Sequence, residues 1–89
     1  LPTTILLHQN YPNPFNPTTN LSFEIPKESN VTLQVFNLLG QAVATVIDGR
    51  VTSGKHQVSF DGTRLPSGVY LLRLKVYNIV QTKKLLLLR

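Results

Sequence analysis

Eighty-nine residues, with nine Lys and Arg against four Asp and Glu, a net charge of +5 and no cysteine, describe one small domain held by packing alone, without disulfides or a thiolate zinc site. A chain of this length buries about 60 to 65% of the surface its unfolded form would expose, which leaves little core beneath a deep catalytic pocket. No apolar run approaches the ~18 residues of a membrane span, LPTTILL lacks the basic flank and long apolar stretch of a signal peptide, and the absence of methionine is what a module taken from a longer protein would show.

The first unusual stretch is YPNPFNPT, residues 11–18. Each proline fixes its own φ and biases Tyr11, Asn13 and Asn16 before it toward extended geometry. The segment is stiff before folding, so less entropy is lost when it is laid down, and the asparagines can satisfy backbone groups that the prolines leave without ladder partners. Tyr11 and Phe15 offer apolar surface worth about 1.5 to 3 kcal/mol each if fully buried. A strap across one end of a core is the expectation.

Beyond the strap, period-two alternation recurs and helical periodicity does not. Leu21, Phe23 and Ile25 share one face of a strand from Thr19, and Pro26 closes it, with KESN as the turn. Val31, Leu33 and Val35 alternate with Thr32 and Gln34, while Phe36 interrupts the polar side. NLLGQ then supplies a turn bearing Gly40, and Ala42 to Ile47 form a third strand rich in β-branched residues. Asp48-Gly49 and Ser53-Gly54 are expected to reverse the chain, with Arg50 to Thr52 a short arm between them. His56, Val58 and Phe60 give a fourth strand; Tyr70, Leu72, Leu74 and Val76 a long fifth one, turned at Asn78; and Ile79 to Leu88 the last. Strands this short, joined by Gly, Pro and Asn turns, predict an all-β immunoglobulin-like antiparallel sandwich of about 6–7 strands. An open barrel would give much the same string.

Catalytic chemistry finds no foothold. The two histidines, His8 and His56, lie far apart in sequence and read as surface or partly packed side chains. Glu24, Glu28, Asp48 and Asp61 are not paired by spacing for acid and base work, and neither Asp-Gly dipeptide brings enough oxygens for calcium. Asn20-Leu21-Ser22 and Asn30-Val31-Thr32 fit a glycosylation acceptor, relevant only in a eukaryotic secretory route. Most aromatics fall on core-facing positions, with only Phe36 and Tyr77 placed for a patch beside Arg73 and Lys75, so no nucleic-acid partner is expected. The expectation is no enzyme, no cofactor and no metal.

The tail, QTKKLLLLR, is the oddest element. Whichever face turns inward, two of the four leucines look outward: Leu86 and Leu88 if Leu85 and Leu87 pack inside, or the reverse. An apolar terminal strand is a liability unless it is covered or received by a partner, and no acid after Tyr70 offsets Arg73, Lys75, Lys83, Lys84 and Arg89. A receptor could take such a strand by strand addition or side-chain capture.

Three blocks in order, NYPNPFNPTT (Asn10 to Thr19), VTLQVFNLLGQ (Val31 to Gln41) and LPSGVYLLRL (Leu65 to Leu74), followed by the lysine and leucine tail, resemble the type A C-terminal sorting domain of proteins exported by the type IX (Por) secretion system of Bacteroidetes and related bacteria. The resemblance runs from about Asn10 to Arg89, with residues 1–9 a linker or the start of the first strand and residues 10–89 one immunoglobulin-like domain. It extends to the immunoglobulin-like domain of the flagellar hook-capping protein. It implies a non-catalytic secretion signal that directs an N-terminal cargo domain of the same polypeptide through the outer-membrane translocon. Shuttle and processing proteins, subsequent cleavage, and release or cell-surface attachment belong to the same implication. By position, the translocon-recognition residues are Lys83, Lys84, Leu85, Leu86, Leu87, Leu88 and Arg89. The structural motif is Asn13, Pro14, Phe15, Asn16, Pro17, Gly40, Pro66, Gly68 and Tyr70. Two other readings stay open: an accessory module that spaces or stabilises a neighbouring domain, such as a glycoside hydrolase, and a carbohydrate-binding module. Dimerisation through an unpaired edge strand is open as well.

Overall fold

A computed structural model describes residues 4–89; residues 1–3, the first part of the expected linker, lie outside the described residues. Seven strands follow in chain order: β1 (Leu6–Leu7), β2 (Thr18–Ile25), β3 (Ser29–Phe36), β4 (Ala42–Val51), β5 (Gly54–Asp61), β6 (Gly68–Val76) and β7 (Ile79–Leu87). They form two antiparallel sheets, β1-β2-β5 and β4-β3-β6-β7, packed face to face as an immunoglobulin-like sandwich.

The alternation in the sequence becomes the core. Leu21, Phe23 and Ile25 from β2 meet Val31, Leu33 and Val35 from β3, Leu72, Leu74 and Val76 from β6, and Leu85 and Leu87 from β7, all essentially without solvent contact. The polar residues between them point outward because successive side chains in a strand alternate faces.

Two expectations change here. Asp48-Gly49 is not a reversal: β4 runs straight through it, with Thr32 opposite Asp48 and Val31 opposite Gly49. Ladder pairing to β3 overrides the local turn preference of the dipeptide, and the expected short arm from Arg50 is the end of the same strand. The register shifts twice, between Leu33 and Gln34 and between Val35 and Phe36, so that Val46 and Val43 have no partner of their own. Such bulges bend a strand and break its alternation, which is why β4 buries none of its residues fully. Tyr77 also leaves the strand face it was expected to share with Arg73 and Lys75, sitting instead in the β6–β7 turn at φ 56.

Candidate functional site

The strap divides its two aromatics. Phe15 is buried and meets Phe60 edge-on at 6.2 Å, whereas Tyr11 is 79% exposed and adds no core surface. The proline peptides Tyr11-Pro12, Asn13-Pro14 and Asn16-Pro17 are all cis. Inside the strap, the Asn10 amide donates to the Pro12 carbonyl at 3.1 Å and to the Thr19 hydroxyl at 3.0 Å. The Thr19 hydroxyl donates in turn to the same carbonyl at 2.8 Å. These buried polar groups are mutually satisfied, as burial requires.

The N-terminal segment then runs beside β7 and in the same direction. The Gln81 side chain accepts from the Leu7 amide at 2.7 Å and donates to the Ile5 carbonyl at 2.8 Å, closing the free edge of β1. Gln9 answers from the other side, its amide donating to the Lys84 carbonyl at 2.7 Å. Further along, the Leu86 amide donates to the Asn13 side chain at 3.0 Å. The Phe15 amide donates to the Leu86 carbonyl at 2.9 Å, and the Leu88 amide to the Phe15 carbonyl at 3.0 Å.

β7 is therefore an edge strand, fully laddered to β6 on one side and met on the other by the strap only at its C-terminal end. Of the two phases open for the leucines, Leu85 and Leu87 face the core, while Leu86 is half-buried and Leu88 is 49% exposed. Lys84 is exposed and Lys83 half-buried. Among the described residues the carboxylate contacts with basic side chains are His8–Glu24 and Arg50–Glu28, so neither lysine meets a carboxylate. Arg89 turns back onto the preceding loop, donating to the carbonyls of Leu65 at 2.7 Å and Gly62 at 3.1 Å. The same loop is pinned by the Tyr70 hydroxyl, which donates to the Pro66 carbonyl at 2.6 Å, and Gly68 opens β6 opposite Leu87. At the tip between β3 and β4, Gly40 takes φ 82, a conformation that favours glycine. Its amide donates to the Asn37 carbonyl at 3.0 Å.

The strap, the NLLG tip, the LPSG loop and the tail thus gather at one end of the sandwich, although they are scattered along the chain. The secretion system C-terminal sorting domain family matches residues 9–88. The chain belongs to that family. Its function is accordingly the non-catalytic one of a type IX sorting domain, acting through the outer-membrane translocon on proteins that become secreted or surface-located. No curated protein gives a significant match.

The two histidines are engaged within the domain. His56 stacks on Phe23 at 5.3 Å and donates from Nε2 to the Thr52 carbonyl at 2.7 Å; His8 lies against Glu24. Among the described residues no group of three or more His, Asp or Glu could hold a metal ion. What sequence reasoning missed is the pair of glutamines. Gln9 and Gln81 carry no motif, and only the fold brings their side chains to backbone so distant in sequence.

Proposed function

We propose that the translocon is engaged through the tail, with its seven residues divided by role. Lys84, Leu86 and Leu88 contact the receptor and Lys83 assists from the seam. Leu85 and Leu87 anchor the strand in the core, and Arg89 fixes its end on the loop at Leu65. The observation that carries this reading is the exposed, unneutralised face of an edge strand that shows both lysine and leucine to solvent. Charge draws an acidic receptor surface in, and apolar contact holds it. In the full secretion route an N-terminal cargo domain is carried along, shuttle and processing proteins act afterwards, and cleavage releases the cargo or leaves it attached to the surface. Dimerisation through an edge strand is the competing reading.

Deleting the tail is a poor test, because it would strip Leu85 and Leu87 from the core and unfold the domain. Lys84→Glu/Leu88→Ser alters two exposed side chains outside the core. In a full-length cargo carrying this domain, the double variant is expected to leave the melting temperature unchanged and to lower the exported fraction at least tenfold. Export at the level of the unaltered domain would refute the assignment.

A further inference from the structure

The outer face of the four-stranded sheet is not uniformly polar. The pairings set its rows: Asp48, Thr32, Lys75 and Val80 cross it at one end, then Thr45, Gln34, Arg73 and Thr82, then Ala42, Phe36, Leu71 and Lys84, and finally Val69 with Leu86. Polarity falls along this series toward the end that holds the tail. Phe36, Leu71, Val69 and Leu86 form a continuous half-buried apolar strip. The Arg73 guanidinium lies over the Phe36 ring at 4.3 Å.

Just past the last β3–β6 pair, the NLLG tip presents Leu38 and Leu39 at 68% and 84% exposure. This exposure is built rather than incidental. The Asn37 side-chain oxygen accepts from the amides of Leu39 and Gln41, both at 3.0 Å, and the Asn37 amide donates to the Gln41 side chain at 2.6 Å. The Asn37 backbone amide donates to the Gln41 carbonyl at 3.0 Å. A turn tied this closely holds two large apolar side chains in water without a flexible loop to hide them, which is the signature of a pre-organised contact. A shallow depression of about 200 Å³ lined by Phe36, Gly40, Leu71, Arg73 and Thr82 joins the tip to the strip.

The geometry points to a second docking surface, made by Leu38, Leu39, Phe36 and Leu71, for a protein surface of the translocon that has an apolar centre and a carboxylate rim. The rim follows from charge. Arg73 and Lys84 border the strip, and the acids of this face, Asp48 and the Glu28 paired to Arg50, stand toward its far end, so the cations are left for a partner's acids. Exposed apolar area bounded by charge of one sign is how protein contact sites are built. The surface is continuous through Leu86 with the tail and rests on the sorting reading above, extending it from one strand to a whole end of the domain.

The test uses a full-length cargo carrying the domain, with the exported fraction and the melting temperature as readouts. Leu38→Ser/Leu39→Ser is expected to lower export at least tenfold with the melting temperature unchanged, since both side chains are already in water. Lys75→Glu, in the polar half of the same face, is expected to leave export within twofold. Normal export of the leucine variant alongside failure of Lys84→Glu/Leu88→Ser would overturn this surface and leave the tail reading standing; normal export of both would overturn both. A loss with Lys75→Glu equal to that of the leucine variant would make general charge the determinant and overturn the proposal. Binding of the domain to phosphatidylglycerol vesicles that depends on Leu38 and Leu39 would assign the surface to lipid and overturn it too.

Discussion

Phe15 and Leu87 lie side by side in a parallel bridge, two side chains from nearly opposite ends of the chain closing one end of the same core. Phe15→Ala removes a buried ring there, and the cavity it leaves costs about 3–5 kcal/mol. A loss below about 1 kcal/mol in denaturant unfolding would show that the strap does not seal the sandwich. Gly62 makes the same point from the other side. A Cβ on it would sit 3.2 Å from the Phe15 ring and 3.3 Å from Leu87, both buried, and these side chains must shift by a few tenths of an ångström to admit it, so Gly62→Ala is expected to be destabilising.

Gln81 ties β7 to the edge of β1 through both ends of its carboxamide. Gln81→Ala leaves the Leu7 amide and Ile5 carbonyl without these partners, a loss of about 1–3 kcal/mol. Hydrogen exchange gives the sharper readout: the Leu7 amide should lose protection while the β3–β6 ladder keeps its own. Unchanged protection at Leu7 would contradict the clasp.

Tyr70→Phe keeps the ring and deletes the bond to Pro66. The expected cost is about 1 kcal/mol, or about 4–8 °C in melting temperature for a domain of this size. An unaltered melting temperature would show that the loop holds itself.

Alternation made most of the sandwich legible. β2, β3, β6 and the inward half of β5 follow directly from which residues repeat every second position, because one-sided burial leaves that trace in the sequence. β4 was not readable in the same way. Its two bulges put Val43 beside Ala44 and Val46 beside Ile47, and the Asp48-Gly49 dipeptide carries a turn preference that pairing with β3 overrides. The tail shows a different limit. Four consecutive leucines carry no phase, and pairing with β6, together with Phe15, decides which two are buried. The strap's role was legible from its prolines and Phe15, but not the outward position of Tyr11. Of the end that gathers the strap, the NLLG tip, the LPSG loop and the tail, the motifs were visible in the sequence and their convergence was not.

The Thr63 side-chain hydroxyl and backbone amide both donate to the Asp61 carboxylate, and Arg89 adds a favourable charge, holding its pKa below the ordinary carboxylate value despite slight opposing desolvation. A carboxyl whose folded pKa is depressed contributes stability that is present above its unfolded pKa and lost as pH falls through the folded one. Stability measured from neutral pH down to pH ~2 should therefore fall less steeply for Asp61→Asn than for the unaltered domain. Parallel curves would remove Asp61 from the acid response.

The parallel run of residues 5–15 along β7 also sets how the domain answers a mechanical load. Tension that draws the two chain ends apart slides the N-terminal segment and β7 lengthwise past each other. The bonds at Gln81, Gln9, Asn13 and Phe15 are then strained together rather than one after another. A domain tethered at both ends during passage through a membrane pore would resist as a shear joint, and would yield far more readily if only its tail were peeled sideways from β6.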